Sequence, residues 1–155
     1  MPARSARPTP GWSRALTDSA ISHALARIDD DVRRSCPISG EWLRAPFWDL
    51  SFRGELAAVI IRDFAFDVVV CRNSQRVGIR QNGGATEVVN SELAAFVACT
   101  KLWHDEVSLA GDDDLSRMRA GRILRQALRG ADPLVLTDRE SLWAVSVHDF
   151  SCNLI

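Results

Sequence analysis

Apolar residues near the amino terminus recur with the period of an amphipathic helix. Asp18 or Ser19 can cap this helix, and Pro37 and Gly40 end the helical pattern. The residues that share its apolar face are Ile21, Leu25, Ile28 and Val32.

Further along the chain, short apolar runs alternate with turn signals. The runs 56–61 and 66–71 have the length of strands, and the valines of the second run favour a strand over a helix. Gly54 and the segments 73–75 and 82–84 contain the residue types of tight turns. The pattern predicts an antiparallel meander of three to five strands. The other segments with strand character are 50–53, 77–79 and 86–89.

After the meander the apolar period becomes helical again. Asn90 or Ser91 is predicted to cap a first helix, with Glu92 near the positive end of its dipole. The aspartates at 112–114 open a second helix, and Gly130 is its predicted end. The predicted inward residues are Leu93, Phe96, Val97, Thr100 and Trp103 in the first helix, and Leu115, Met118, Leu124 and Leu128 in the second.

A last helix is predicted to start at Ser141, because Thr137 and Glu140 have the spacing of a capping box. Val145 and Val147 in the same segment favour a strand instead. The whole order predicts an α+β fold with an N-terminal helix, an antiparallel meander and C-terminal helices.

The length of 155 residues fits one domain, which we expect over residues 16–155. Residues 1–15 are predicted to form a flexible tail, because the segment is rich in small residues, arginine and proline.

The charge balance argues against nucleic acid as the main ligand. Nineteen basic and twenty acidic residues give a formal net charge of −1, whereas proteins that hold phosphate backbones usually carry a basic excess. The longest apolar run, 56–61, is much shorter than the roughly 20 residues that span a membrane as a helix. Neither a nucleic acid nor a membrane is therefore expected as a direct partner.

No cysteine or histidine pattern has the spacing of a metal site or a catalytic pair. Scattered cysteines without a visible secretory signal predict buried, reduced thiols in the cytoplasm. No catalytic residue, cofactor or metal is expected, although an enzyme that uses Cys99, Cys71 or a histidine stays open as an alternative. The cysteines and histidines are Cys36, Cys71, Cys99, Cys152, His23, His104 and His148.

Binding surfaces are the remaining candidates for function. Two aspartate triplets can steer a basic partner, or they can simply cap helices and face solvent. The aromatic residues around Pro46 can supply interface anchors, or they can close one end of the core together with Phe47. The candidate partner-binding residues are Asp29, Asp30, Asp31, Trp42, Trp48, Asp112, Asp113 and Asp114.

The segment 88–97, Val-Val-Asn-Ser-Glu-Leu-Ala-Ala-Phe-Val, resembles the strand-to-helix junction of the SUKH superfamily. The segment 128–143 and the hairpin at 57–70 are also similar to that superfamily, and most similar to its fourth bacterial immunity subgroup. Two features depart from the family pattern. Glu92 stands where the family has a second serine, and the turn 63–66 is not glycine-rich.

The resemblance implies an α+β fold whose sheet offers a concave surface to a partner. It also implies an immunity protein that binds a cognate bacterial toxin, of nuclease or deaminase type, and occludes it. The alternative is a non-enzymatic scaffold or regulatory module of the same fold. The chain is expected to act in the cytoplasm as a monomer or weak homodimer.

Overall fold

The computed structural model describes residues 14–155, so the tail expected over residues 1–15 lies outside it except for two exposed residues. The helices are α1 (Asp18–Leu25), α2 (Asp30–Ser35), α3 (Leu93–Leu109), α4 (Asp114–Ala131) and α5 (Leu142–Ser151), with a 3-10 helix at Pro133–Leu136 before α5. The strands are β1 (Glu41–Trp42), β2 (Asp49–Phe52), β3 (Glu55–Arg62), β4 (Phe66–Cys71), β5 (Val77–Gln81) and β6 (Thr86–Asn90).

Strands β2 to β6 form an antiparallel meander in chain order, and β1 pairs with the far end of β3 beside β2. The α+β class and the order of helix, meander and helices are confirmed. Turn chemistry explains the β2–β3 hairpin, because Arg53 and Gly54 both adopt positive φ angles, of 49° and 82°. The turns predicted at 73–75 and 82–84 are also confirmed.

The predicted N-terminal helical segment is present, but it is divided into two helices, α1 and α2. Thr17, rather than Asp18 or Ser19, caps α1 by accepting a hydrogen bond from the amide of Ala20 over 3.1 Å. Asp29 caps α2 in the same way through the amide of Val32, over 2.9 Å. An N-cap residue has an extended backbone, so the capping aspartate ends any continuous helix at this point.

Neither Asn90 nor Ser91 caps α3. The cap position is Glu92, whose side chain makes no capping hydrogen bond. Asn90 is instead the last residue of β6 and is fully buried, with its amide nitrogen donating to Asp132 Oδ2 over 3.1 Å. The asparagine of the SUKH-like junction therefore joins β6 to the start of the 3-10 helix.

The predicted inward face of α4 is right in its second half only. Leu124 and Leu128 are fully buried, but Leu115 and Met118 are 65% and 55% exposed. Gly130 does not end the helix, which continues to Ala131.

The last helix begins as predicted after Ser141, whose hydroxyl accepts from the amide of Ala144 over 3.4 Å. The segment stays helical through Val145 and Val147, because it packs its apolar face against the core.

The helices all contribute to one large core on a single face of the sheet. The other face, which we call the open face, carries a smaller cluster that contains no residue of any helix among residues 14–155. That cluster consists of buried Phe52, Ala57, Val59, Val69 and Cys71, with half-buried Leu43, Leu50 and Val88 against it.

Candidate partner-binding site

The β2–β3 turn closes one end of the open face. The Phe52 ring lies against Gly78 of β5 so closely that a Cβ atom at that position would overlap it. The Arg53 guanidinium reaches β6, donating to the hydroxyl and carbonyl oxygens of Thr86 over 3.0 and 2.9 Å. The turn therefore reaches over β3, β4 and β5 to β6 and covers this end of the open face.

A row of alternating charges crosses the other end of the open face. In the strand register, Glu41 of β1 lies opposite Arg62 of β3. Arg62 lies opposite Asp67 of β4, and Asp67 lies opposite Arg80 of β5. Directly paired residues point to the same face of a sheet, so the four side chains form one row, which we call the charged row. Arg62 Nε is 3.3 Å from Asp67 Oδ1.

An exposed tryptophan lies beside this row. The Arg62 guanidinium stacks on the Trp48 ring, 4.1 Å from its centre, while Trp48 stays 57% exposed. Phe64, two residues beyond Arg62 in the β3–β4 turn, is 92% exposed. We call Trp48, Arg62 and Phe64 the Trp48 cluster. Tryptophan and arginine are the residue types enriched among the strongest contributors to protein–protein binding, and aromatic residues are enriched in interfaces generally.

A groove of about 330 Å³ runs along the sheet edge next to Trp48. Its walls include Trp42, which is half-buried because its ring packs 6.2 Å from that of Phe96 in the core. Phe47 is buried and closes the core, as one alternative predicted. Of the two predicted tryptophans, Trp48 is therefore free to anchor a partner, whereas Trp42 forms a wall.

A second groove, of about 410 Å³, shares Leu43 and Arg44 with the first and is lined by Asp30 and Arg33. The structure thus brings one member of the first aspartate triplet near the tryptophans. The other two members have structural partners. Asp29 caps α2, and the amide of Val32 lowers the pKa of its carboxyl. Asp31 pairs with Arg34.

The second triplet lies elsewhere, at the start of α4, a helix that packs on α3 and α5. Asp113 caps this helix, and hydrogen bonds from Ser116 lower the pKa of its carboxyl. Asp112 borders a cavity of about 500 Å³, whose walls include Trp103 and Phe150. The eight predicted residues therefore do not form one site.

The thiols give little support to the enzyme alternative. Burial raises the pKa of Cys99 to about 12 and that of Cys36 to about 11, and burial also raises the pKa of Cys71. A thiol needs to be deprotonated to act as a nucleophile, so a raised pKa works against nucleophilic attack by these three at neutral pH. Cys152 is exposed and Cys36 is only partly buried, which corrects the expectation that all four cysteines are buried.

Residues 14–155 contain no cluster of three or more histidine, cysteine, aspartate or glutamate side chains that could hold a metal ion. His104 Nδ1 lies 2.8 Å from the Ser35 hydroxyl, which also donates to the carbonyl of Val32. The contact joins α2 to α3, next to the hydrogen bond that the Trp103 indole donates to the Ser35 carbonyl over 2.6 Å.

Sequence patterns did not identify Arg62, Phe64 or Arg80. Phe64 had a readable signal, because a large aromatic residue in a short turn between two strands has little chance of burial. The two arginines had none, because their shared row depends on the register of three strands.

Fold and site together define a small α+β domain whose open sheet face carries residues suited to binding another protein. A model of the SUKH-4 immunity protein family matches residues 13–149. The chain therefore belongs to the SUKH-4 immunity protein family, and the predicted resemblance is confirmed. None of the curated proteins and none of the solved structures compared with the chain matches it. Within residues 14–155, no helix combines the length and the apolarity needed to cross a membrane.

Proposed function

We propose that this chain protects its producing cell by binding a cognate toxin and occluding the toxin's active site or substrate groove. Family membership supports the immunity role and implies a toxin partner. Nuclease and deaminase toxins are the classes that the sequence resemblance favours. The encounter takes place in the cytoplasm, and the chain acts without catalysis, as a monomer or weak homodimer.

The Trp48 cluster is the main support for placing the proposed binding site on the open face. An exposed tryptophan stacked on an arginine presents a flat surface of low conformational entropy, because the guanidinium is already held in place. Phe64 adds apolar area at the neighbouring turn. Burial of these side chains by a toxin supplies the affinity.

The charged row gives the interface its orientation. Arg62 and Arg80 can pair with carboxylates of the toxin, and Glu41 and Asp67 with its basic residues. A nuclease toxin holds nucleic acid with basic side chains, so the carboxylates can take the place of phosphates.

The two aspartate triplets have a kinetic role in this proposal. Exposed like charges raise the encounter rate of an oppositely charged partner without contributing much to the final affinity. Asp30, Asp112 and Asp114 are the members that neither cap a helix nor form an ion pair among the described residues.

The experiment is co-expression with the toxin domain encoded by the neighbouring gene, followed by a growth assay and by a pull-down. We expect rescue of growth and a one-to-one complex. Trp48→Ala combined with Phe64→Ala should weaken the complex by at least about thirtyfold, the loss typical of an interface anchor. Val145→Ala, at an exposed position on α5, is the matched control and should bind like the wild type.

The outcomes separate the alternatives. Rescue without a complex contradicts occlusion and supports enzymatic detoxification, and no rescue supports a scaffold. A complex that tolerates the double variant contradicts the assigned surface. Replacing both triplets by asparagine, which still caps helices, should slow association and reduce its salt dependence. Unchanged rates would contradict the steering role.

A further inference from the structure

We propose that the outer face of α4 is a second interaction surface, and that its partner is a protein segment with carboxylates around an apolar centre. This surface, called the α4 surface below, comprises Leu109 at the end of α3 and Leu115, Met118, Arg119, Arg122 and Ile123 of α4. The inference does not depend on the proposed binding of a toxin.

The first observation is exposed apolar area. Leu109 is 82% exposed, and Leu115, Met118 and Ile123 are between 48% and 65% exposed. Leu109 and Ile123 line one groove of about 270 Å³ with Arg119, Leu115 precedes Arg119 by one helical turn, and Met118 is the i+3 neighbour of Leu115. Grouped exposed apolar side chains mark interaction sites, whereas isolated ones need no explanation.

The second observation is charge. Helix α4 contains five arginines and one acidic residue, although the whole chain has a net charge of −1. None of these arginines forms an ion pair in the part of the chain that the structure describes. Arg119, Arg122 and Arg125 follow one another at three-residue intervals, a spacing at which like charges destabilise a helix. Carboxylates on a partner would remove this repulsion.

The combination favours an acidic protein over the other anionic macromolecules. A nucleic acid would pair with the arginines but would offer no apolar contact to Leu109 and Leu115. An anionic membrane would receive the aliphatic side chains, but the aspartates at 112–114, next to Leu115, would be repelled by its surface. A protein segment can match apolar with apolar side chains and carboxylates with guanidinium groups, which bind carboxylates in a planar, bidentate geometry.

A second copy of the chain is a poorer occupant. If α4 paired with α4 about a two-fold axis through the middle of the helix, Arg119 and Arg122 of one copy would face the same arginines of the other. The α4 surface also points away from the open face, because α4 packs on α3 and α5 on the opposite side of the sheet. Both surfaces can therefore be occupied at the same time.

The test uses the full chain and a synthetic amphipathic helix as long as α4, with leucines on one face and glutamates beside them. Two matched peptides replace every glutamate by glutamine or by lysine. We expect the acidic peptide to bind at least about tenfold more tightly than the glutamine peptide, and salt to weaken this binding. Amide chemical shifts should change along residues 109–129.

The variant Arg119→Glu with Arg122→Glu should reduce the affinity for the acidic peptide at least about tenfold, because both positions become repulsive. Arg27→Glu with Arg76→Glu changes the same number of exposed charges elsewhere and should leave binding unchanged. Melting temperatures of both variants establish that they are folded.

Four results would overturn the proposal. They are equal binding of the acidic and glutamine peptides, shift changes outside the α4 surface, tighter binding to anionic vesicles or to a short DNA duplex, and self-association through α4 in sedimentation experiments.

Discussion

The indole nitrogen of Trp143 donates a hydrogen bond to the side-chain oxygen of Asn90 over 3.0 Å, and both residues are completely buried. The amide nitrogen of Asn90 donates in turn to Asp132, which also accepts from the backbone amide of Ser91 over 2.7 Å. This network connects the last strand, the 3-10 helix and the last helix. The SUKH-like junction is therefore a structural element in this chain rather than part of a binding surface.

Replacing Asn90 by alanine should strongly destabilise the fold. The change leaves the Trp143 indole nitrogen without its buried partner, removes one of the two hydrogen bonds to Asp132 Oδ2, and opens a small cavity. We expect a loss of about 3 kcal/mol in the free energy of unfolding, measured by urea denaturation. Asn73→Ala, in an exposed turn, is the control and should change stability little. A neutral Asn90→Ala would contradict the role of the network.

Gly78→Ala should also destabilise the protein, because a methyl group there overlaps the Phe52 ring and approaches the carbonyl of Glu87. Steric crowding of this kind in a packed cluster lowers the free energy of unfolding by about 1–3 kcal/mol. Gly83→Ala is the matched control, since a methyl group at that position meets no atom within 4 Å. Phe52→Leu should recover part of the loss in the double variant. If it does not, the backbone contact rather than the ring causes the destabilisation.

The sheet was the most predictable part of the fold. Strand β4 has the boundaries that its valine run predicted, and the glycine and asparagine turns lie where expected. Local chemistry decides both features, because β-branched residues suit strands and few residue types suit tight turns.

Features that depend on tertiary packing were not predictable. Leu115 and Met118 have the same spacing as core residues, and only the position of α3 and α5 decides that they face outward. Asn90 has the residue type of a helix cap, but its burial among Asp132 and Trp143 gives it a different role. For the candidate site, the aromatic stretch around Pro46 pointed to Trp48, whereas its stacking on Arg62 depends on how β2 and β3 lie together.

Acid should remove the contribution of the ion pairs that join α1 to the sheet. Arg72 donates to Asp18 and to Asp49, over 2.8 Å in each case, and its hydrogen bond lowers the pKa of Asp18 below the ordinary value of 3.8. A lowered folded-state pKa means that this stabilisation is present above pH 3.8 and is lost as the pH falls through the folded-state value.

Asp18→Asn should therefore reduce the slope of stability against pH below about pH 4, measured by urea unfolding. Some slope should remain, because the pKa values of the helix caps Asp29 and Asp113 are also lowered. The exposed Asp105→Asn is the control and should leave the slope as it is. An unchanged slope in Asp18→Asn would show that the ion pairs contribute nothing to stability.

Alkylation of the folded protein at neutral pH should modify Cys152 first, because it is the exposed cysteine. Cys99 should react only after unfolding, since burial raises its pKa to about 12 and leaves almost no thiolate. Mass spectrometry of peptides over time measures both rates, and Cys152→Ser should abolish the early adduct. Rapid modification of Cys99 or Cys71 in the folded state would restore the enzyme alternative.

Arg122→Glu should make the protein slightly more stable, because Arg122 has arginines at the adjacent three-residue positions 119 and 125. The change replaces two repulsive charge pairs by two attractive ones. We expect the free energy of unfolding to rise by about 0.5–1 kcal/mol, and salt should diminish this gain. Thermal unfolding at low and high salt measures it, with Arg27→Glu as a control outside α4. A gain would mean that the isolated chain tolerates a repulsion that an acidic partner can remove. A loss of stability would mean that other groups of the chain already compensate the charge of Arg122. It would remove the electrostatic reason for a partner at the α4 surface.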